Sequence, residues 1–105
     1  MPSSIVMPRS AGPKPLEWAR AARDAFDTSI DFIAAEDPFT ARLVIERVEQ
    51  TLTQLQTHPK IGRSAGARGR RALPIPNTGH IVNYRETRTT IRILRWYRSK
   101  QNVRR

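Results

Sequence analysis

The clearest pattern along the chain is a helical repeat of apolar side chains between Pro38 and His58. Apolar residues recur there at spacings of three and four positions, so they fall on one face of an α-helix. The residues of this stripe are Ala41, Val44, Ile45, Val48, Leu52 and Leu55. Asp37 is suited to cap the start of the helix and Pro38 to occupy its first position, where an N–H would have no helical partner. Pro59 predicts the end of the helix.

A second helical stripe lies upstream of the first. Its apolar residues are Ala22, Phe26, Ile30 and Ile33. The break at Glu36 and Asp37 is short, and two helices joined by so short a connection pack as an antiparallel hairpin. A short strand over residues 14–18 is predicted in front of the hairpin.

Downstream of Pro59 the pattern changes from a helical to an alternating one. Residues 60–70 contain glycines without an apolar period, which predicts a loop. The strand around Leu73 and Ile75 alternates with prolines, so we expect it to be an edge strand or irregular. Two further strands are predicted at 81–85 and 90–97, joined by a tight connection. Adjacent apolar residues Ile93 and Leu94 indicate burial from both sides, and hence an interior position for the last strand.

These elements predict an α+β fold in which an N-terminal helical hairpin packs on a small twisted antiparallel β-sheet, in the order β-α-α-β-β-β. The length of 105 residues suits one domain, which we place at 16–98, after a flexible leader at 1–15 and before a basic tail at 99–105. The chain has no cysteine and no apolar run near the roughly 18 residues of a membrane span. We therefore expect a cytoplasmic protein with no membrane association, metal or cofactor.

The charge of the chain is strongly polarised. Residues 1–57 contain six basic and eight acidic residues, whereas residues 58–105 contain thirteen basic residues and one acid, Glu86, so the halves carry −2 and +12. A surface that merely keeps a protein soluble usually mixes both signs. The basic half therefore predicts an acidic partner, either nucleic acid or an acidic protein.

Short motifs follow one another in order from Leu16 to Arg98. They are Phe32-Ile33-Ala34, Asp37-Pro38 with Ala41, Leu55, His58-Pro59-x-x-Gly62-Arg63, Gly69 and Arg71 with Leu73, Ile81-Val82-x-Tyr84-Arg85, and Ile91-x-Ile93-Leu94-Arg95. In this order and spacing they resemble the RelE/ParE superfamily of toxins from bacterial type II toxin–antitoxin systems. The chain departs from the family pattern at Ala25-Phe26, Ala72 and Arg98.

The resemblance implies a small toxin that arrests growth and is neutralised by a cognate antitoxin, whose acidic segment would complement the basic half. ParE-like members poison DNA gyrase by binding it, whereas RelE-like members cut mRNA on the ribosome without a metal ion. The Gly62-Arg63 and Ile81-Val82-x-Tyr84-Arg85 motifs favour the ParE-like alternative. A non-toxic nucleic-acid-binding module is a third alternative.

The candidate residues for binding the target or the antitoxin are arginines. They are Arg63, Arg70, Arg71, Arg85, Arg95 and Arg98. Arg71 suits bidentate recognition of a phosphate or carboxylate, whereas Arg63 has an alternative role in tying its loop to the end of the helix. If the chain were RelE-like, Tyr97, Arg98 and Arg71 would be the catalytic candidates.

Few other groups are suited to proton transfer or base stacking. His58 is expected to close the second helix, and His80 to be exposed to solvent beside a turn. Tyr84 is expected to be buried or half-buried. Tyr97 is suited either to packing or to catalysis, and Trp96 either to the core or to stacking on a base.

Overall fold

The computed structural model describes residues 13–99. Two helices and five strands follow one another along this part of the chain. They are β1 (Leu16–Trp18), α1 (Arg20–Glu36), α2 (Pro38–Thr57), β2 (Arg63–Ser64), β3 (Arg70–Ile75), β4 (His80–Glu86) and β5 (Ile91–Arg98). The predicted α+β fold with the element order β-α-α-β-β-β is confirmed. The two-residue strand β2 is an addition, and it lies in the segment predicted as a loop.

The five strands form one sheet in the order β1-β5-β4-β3-β2. All neighbouring pairs are antiparallel except the first, in which β1 runs parallel to β5 with Leu16 opposite Ile91. The backbone N–H of Ile91 donates to the carbonyl of Pro15 at 2.9 Å and helps to hold this pair. The sheet is therefore mixed where the sequence predicted an antiparallel one. A strand of three residues carries no sequence signal for its direction.

The hydrophobic core lies between the helical hairpin and one face of the sheet. Its buried residues are Ala22, Val44, Val48, Leu52, Leu55, Ile75, Val82, Tyr84, Ile91, Ile93 and Trp96. Phe26 of α1 packs between two tryptophan rings, with its centroid 5.4 Å from that of Trp18 and 5.0 Å from that of Trp96. Both predicted helical stripes thus face the core, which confirms the hairpin and its orientation.

Asp37 caps α2 as the sequence predicted. Its Oδ1 accepts hydrogen bonds from the backbone N–H groups of Phe39 at 3.1 Å and Thr40 at 3.3 Å, and its Oδ2 accepts from the Thr40 hydroxyl at 2.6 Å. These hydrogen bonds, that of the Thr40 hydroxyl above all, lower the pKa of Asp37. The cap satisfies N–H groups that the first turn of a helix leaves without partners.

A β-bulge interrupts β5 at Leu94. Asn83 of β4 lies opposite Arg95, but the next residue of β4, Tyr84, lies opposite Ile93, so Leu94 has no partner across the pair. The adjacent Ile93 and Leu94 therefore mark one extra residue in the strand, and the interpretation of two-sided burial was wrong. The predicted interior position of β5 is confirmed, because β1 and β4 flank it.

The proline-containing strand β3 is interior along only part of its length. β2 pairs with Arg71 and Ala72, and Pro74 pairs with β4 alone. The carbonyl of Arg70 accepts a hydrogen bond from Ala65 at 2.9 Å, on the outer side of the strand. Because backbone groups alternate in direction, Pro74 presents its nitrogen to the same outer side, where no ladder donor is required.

Glu86, the single acid of the basic half, ties three parts of the fold together. Its carboxylate lies 2.8 Å from Nζ of Lys14 and 3.5 Å from Nζ of Lys60. The hydrogen bond from Lys14 is the main reason that the pKa of Glu86 is lowered. The backbone N–H of Lys14 also donates to the carbonyl of Gln56 at the end of α2 at 3.2 Å, and the Gln56 side-chain amide donates to the carbonyl of Lys14 at 2.9 Å.

The predicted leader at 1–15 and tail at 99–105 lie outside the described residues except for their inner ends, residues 13–15 and 99. The boundaries at 16 and 98 stay predictions. Neither of the helices within residues 13–99 is long and apolar enough to cross a membrane.

The loop after α2 is fixed by the buried side chain of Tyr84. The Tyr84 hydroxyl donates to the carbonyl of Pro59 at 2.7 Å and accepts from the backbone N–H of Gly62 at 2.9 Å. A Cβ at Gly62 would lie 2.8 Å from the Tyr84 ring and hydroxyl, so only glycine fits there. Burial raises the pKa of Tyr84. The prediction that this tyrosine is buried or half-buried is confirmed, since its side chain is fully buried.

Replacing Tyr84 with Phe should lower the free energy of unfolding by about 2 kcal/mol, because the buried N–H of Gly62 and the part-buried carbonyl of Pro59 both lose their partner. Urea denaturation would measure the change. Tyr97→Phe is the matched control, since that hydroxyl is half-buried and makes one hydrogen bond, so its loss should cost less. Equal losses in the two variants would contradict this role for Tyr84.

Candidate functional site

Five arginines lie on the face of the sheet that the helices leave open. Successive residues of a strand point to opposite faces, so the residues of β3, β4 and β5 that alternate with members of the hydrophobic core between sheet and helices point away from that core. The register places the following arginines on this side: Arg63, Arg70, Arg85, Arg92 and Arg95. We call this set the arginine face. Four of its members were predicted as binding residues, and Arg92 was missed.

Three of these arginines form a row across the sheet. Arg70 lies opposite Arg85, and Arg85 lies opposite Arg92. Side chains directly opposite on neighbouring strands are about 5 Å apart at Cβ, and like charges in such positions repel. Arg92 continues the row to Glu17 of β1, with 3.3 Å between its Nη1 and the carboxylate Oε2. The repulsion between Arg70 and Arg85 has no such compensation within residues 13–99.

A second row holds the remaining members of the arginine face. Arg63 lies opposite Ala72, Ala72 opposite Asn83, and Asn83 opposite Arg95. The Tyr97 hydroxyl donates to Oδ1 of Asn83 at 3.1 Å, and the Arg95 guanidinium stands 5.1 Å from the centroid of the Tyr97 ring. Tyr97 is thus half-buried beneath an arginine, and both its ring and its hydroxyl are engaged.

Arg71 and Arg98 are separated from the arginine face. Arg71 lies opposite Tyr84 on the core side of the sheet, and its Nη1 donates to the carbonyl of Gly62 at 2.8 Å. Arg98 lies opposite His80 at the end of β5. Arg71 therefore ties the loop after α2 to β3, and a role in holding this loop had been predicted as an alternative for Arg63. The Arg71 guanidinium has further N–H donors, but Arg71 lies on the opposite side of the sheet from the arginine face.

The histidines and Trp96 are not placed to carry out chemistry on the arginine face. His58 is the C-cap of α2, with its backbone N–H donating to the carbonyl of Gln54 at 2.8 Å. Trp96 is buried, and its Nε1 donates to the Ser29 hydroxyl at 3.0 Å, so it belongs to the core. Residues 13–99 contain no cluster of three or more acidic or histidine side chains arranged to hold a metal ion.

The prediction that His80 is exposed to solvent was wrong. Its side chain is 4% exposed and stacks on Trp96, with ring centroids 4.6 Å apart. His80 alternates with Val82 and Tyr84, so the strand directs it to the core side, a consequence that the neighbouring turn concealed. Its Nδ1 has no hydrogen-bond partner. Burial, together with the charge of Arg98, lowers the pKa of His80.

A groove of about 660 Å³ lies between the two helices and β1. Its lining includes the apolar and acidic residues Trp18, Phe26, Ile30, Asp27, Asp31 and Glu49. The fold therefore presents two surfaces of different chemistry: an open basic face on the sheet and an apolar groove with acids beside the helices. The groove has no local signal in the sequence, because its walls come from three separated elements.

The sequence matches the family described as the ParE toxin of type II toxin–antitoxin system, parDE, over residues 16–103. That match spans all the helices and strands of the described fold. The chain belongs to the ParE toxin family. The resemblance to RelE/ParE toxins, with the ParE-like branch favoured, is confirmed.

No curated protein matches the sequence. Among solved structures, the ParE-family chain is similar to one from the chromosomal ParDE toxin–antitoxin system of P. aeruginosa, with a TM-score of 0.72 and 23% identity. The similarity covers 83% of this chain and 97% of that one. At this identity the likeness concerns the fold.

Replacing Arg85 with Gln should raise the free energy of unfolding by about 0.5 kcal/mol, because it removes the middle charge of the repelling row. The gain should shrink at 1 M salt, where the Debye length is about 3 Å. Thermal melts at low and high salt would measure it. Arg88→Gln, on the exposed connection between β4 and β5, is the control. A loss of stability in the Arg85 variant at low salt would contradict the repulsion.

Replacing His80 with Phe should remove part of the acid sensitivity of the fold. In the folded state the pKa of His80 lies below its ordinary value of 6.5. As the pH drops, the unfolded chain therefore takes up the proton before the folded chain does. The stability of the fold consequently falls as the pH drops below 6.5. Phe keeps a ring against Trp96 and does not titrate. The difference in Tm between about pH 7.5 and 5.5 should therefore narrow in His80→Phe. An unchanged difference in His80→Phe would refute the argument.

Proposed function

We propose that this ParE-family chain is the toxin of a type II toxin–antitoxin pair and arrests growth by binding and poisoning DNA gyrase in the cytoplasm. The observation that supports the proposal most is the arginine face. Five guanidinium groups share one side of the sheet with a single ion pair, that between Arg92 and Glu17, within residues 13–99. A basic surface with so few neutralising acids is suited to binding an anionic partner.

The chemistry of the arginine face favours binding over cleavage. Metal-independent cleavage of RNA requires a base for the 2′-hydroxyl and an acid for the leaving oxygen. His80 and Tyr84 lie on the core side of the sheet, and His58 closes α2, so Tyr97 is the one candidate beside the arginines in the described part of the chain. Its hydroxyl is held by Asn83. We therefore place the RelE-like ribosome-dependent nuclease second.

We further propose that a cognate antitoxin neutralises the toxin by covering the arginine face with an acidic segment. Carboxylates bind arginine through paired hydrogen bonds, and they would relieve the repulsion within the row of Arg70, Arg85 and Arg92. A segment bound in this way would compete with any other anionic partner. Neutralisation would then follow from occupation of the same guanidinium groups.

Brief induction of the full chain in bacteria should stop thymidine incorporation before methionine incorporation, if gyrase is the target. The purified chain should also inhibit supercoiling by purified gyrase. Arg85→Gln/Arg95→Gln should weaken that inhibition about tenfold or more, since the loss of a hydrogen bond from a charged group typically costs about 1.5–3 kcal/mol. The control Arg20→Gln/Arg42→Gln loses the same net charge on the helices and should keep its inhibition.

Early loss of methionine incorporation, with supercoiling unaffected, would instead support the ribosome-dependent nuclease. In that case Tyr97, Arg98 and Arg71 become the residues to replace first. Normal incorporation of both precursors would contradict the toxin function itself.

A further inference from the structure

The arginine face offers hydrogen-bond donors that suit an anionic partner. None of its basic residues is a lysine, in keeping with a chain in which sixteen of the nineteen basic residues are arginines. Arginine presents a planar fork of donors that fits the oxygens of phosphate or of carboxylate, whereas lysine acts as a compact point charge. Within residues 13–99, no hydrogen bond or ion pair engages the guanidinium groups of Arg63, Arg70 or Arg85. These donors are available to a ligand.

We propose that the arginine face binds the sugar–phosphate backbone of double-stranded DNA. This inference rests on the proposed function, because gyrase acts on duplex DNA and a bound toxin would lie beside that duplex. The arginine face then contacts the DNA held by the target in addition to the target protein.

The spacing of the charges fits a duplex. The row of Arg70, Arg85 and Arg92 crosses three neighbouring strands, a distance of about 10 Å. Over such a length a DNA duplex presents about six phosphate charges. Arg63 and Arg95 stand in the next row, about 7 Å away along the strands, because Asn83 and Arg85 are two positions apart on β4. Guanidinium groups in two rows can therefore reach phosphates without any contact to the bases.

The aromatic residues argue against a single-stranded ligand. Proteins that hold single strands stack the unpaired bases on exposed aromatic rings. Trp96 is 5% exposed and stacks on His80 within the core. Tyr97 has the Arg95 guanidinium over its ring and its hydroxyl bonded to Asn83. The arginine face thus offers charge without an open ring, which suits a paired backbone.

Binding of the full chain to a fluorescently labelled duplex of about 20 base pairs, without gyrase, tests this inference. Five phosphate contacts predict a slope of about −4.5 in log affinity against log salt. Arg70→Gln/Arg85→Gln should weaken binding about tenfold and reduce the slope by about 2. The control Arg20→Gln/Arg42→Gln has the same net charge, with both changes at exposed helix positions, and should bind within about twofold of the original chain.

Equal losses of duplex affinity in the two double variants would mean that the DNA responds to the net charge of the chain alone, and this result would overturn the inference. Tighter binding to a single-stranded DNA or RNA of the same sequence would also overturn it. Circular dichroism melts of each variant establish that its fold is intact.

The inference and the proposed function fail separately. If Arg70→Gln/Arg85→Gln no longer binds the duplex but inhibits gyrase to the same extent as the original chain, DNA contact has no role in the inhibition. The inference is then overturned as a part of the inhibition, and the gyrase target stands. If the chain binds the duplex through the arginine face but leaves gyrase unaffected, the DNA-binding surface is supported and the gyrase target is overturned.

Discussion

The packing of β4 and β5 against the helical hairpin determines what the rest of the sheet can present. Tyr84 lies opposite Ile93 and Val82 opposite Trp96, and all four side chains are buried. Since side chains alternate along a strand, a slip of one residue would exchange the two faces and bury arginines instead. Burial of unpaired guanidinium groups is strongly unfavourable, so the core enforces both the register and the exposure of the arginine face.

The bulge at Leu94 makes that arrangement possible in β5. Unbroken alternation from Ile91 and Ile93 would direct Arg95 into the core and Trp96 to solvent. One extra residue reverses the alternation, so Arg95 joins the arginine face and Trp96 reaches Phe26, His80 and Ser29. A bulge next to a binding surface commonly serves to redirect a side chain in this way. Both the core and the candidate site therefore depend on the same local irregularity.

Features encoded by neighbouring residues were predictable, and those set by distant pairing were not. The cap at Asp37 and the two helical stripes follow from local backbone chemistry and period. The side of the sheet on which Arg71 or His80 lies depends on a register between strands, which the local sequence does not specify. Arg92 was omitted for the same reason, since its place beside Arg85 appears only once β4 and β5 are paired. The adjacent Ile93 and Leu94 did signal an irregularity, but local pattern alone does not separate a bulge from two-sided burial.

The position of Glu86 strengthens the case that the charge of the arginine face is a functional feature. A carboxylate within the row would relieve the repulsion between Arg70 and Arg85, yet the one acid of the basic half lies opposite Ile91 on the core side. There it holds Lys14 and Lys60, and so joins the start of the fold to the end of α2. Glu86 thus contributes to internal cohesion, and the repulsion between Arg70 and Arg85 is left without compensation within residues 13–99. A surface that is unfavourable for the isolated chain becomes favourable when an anion covers it, so relief of the repulsion would add to the affinity for the proposed anionic partner.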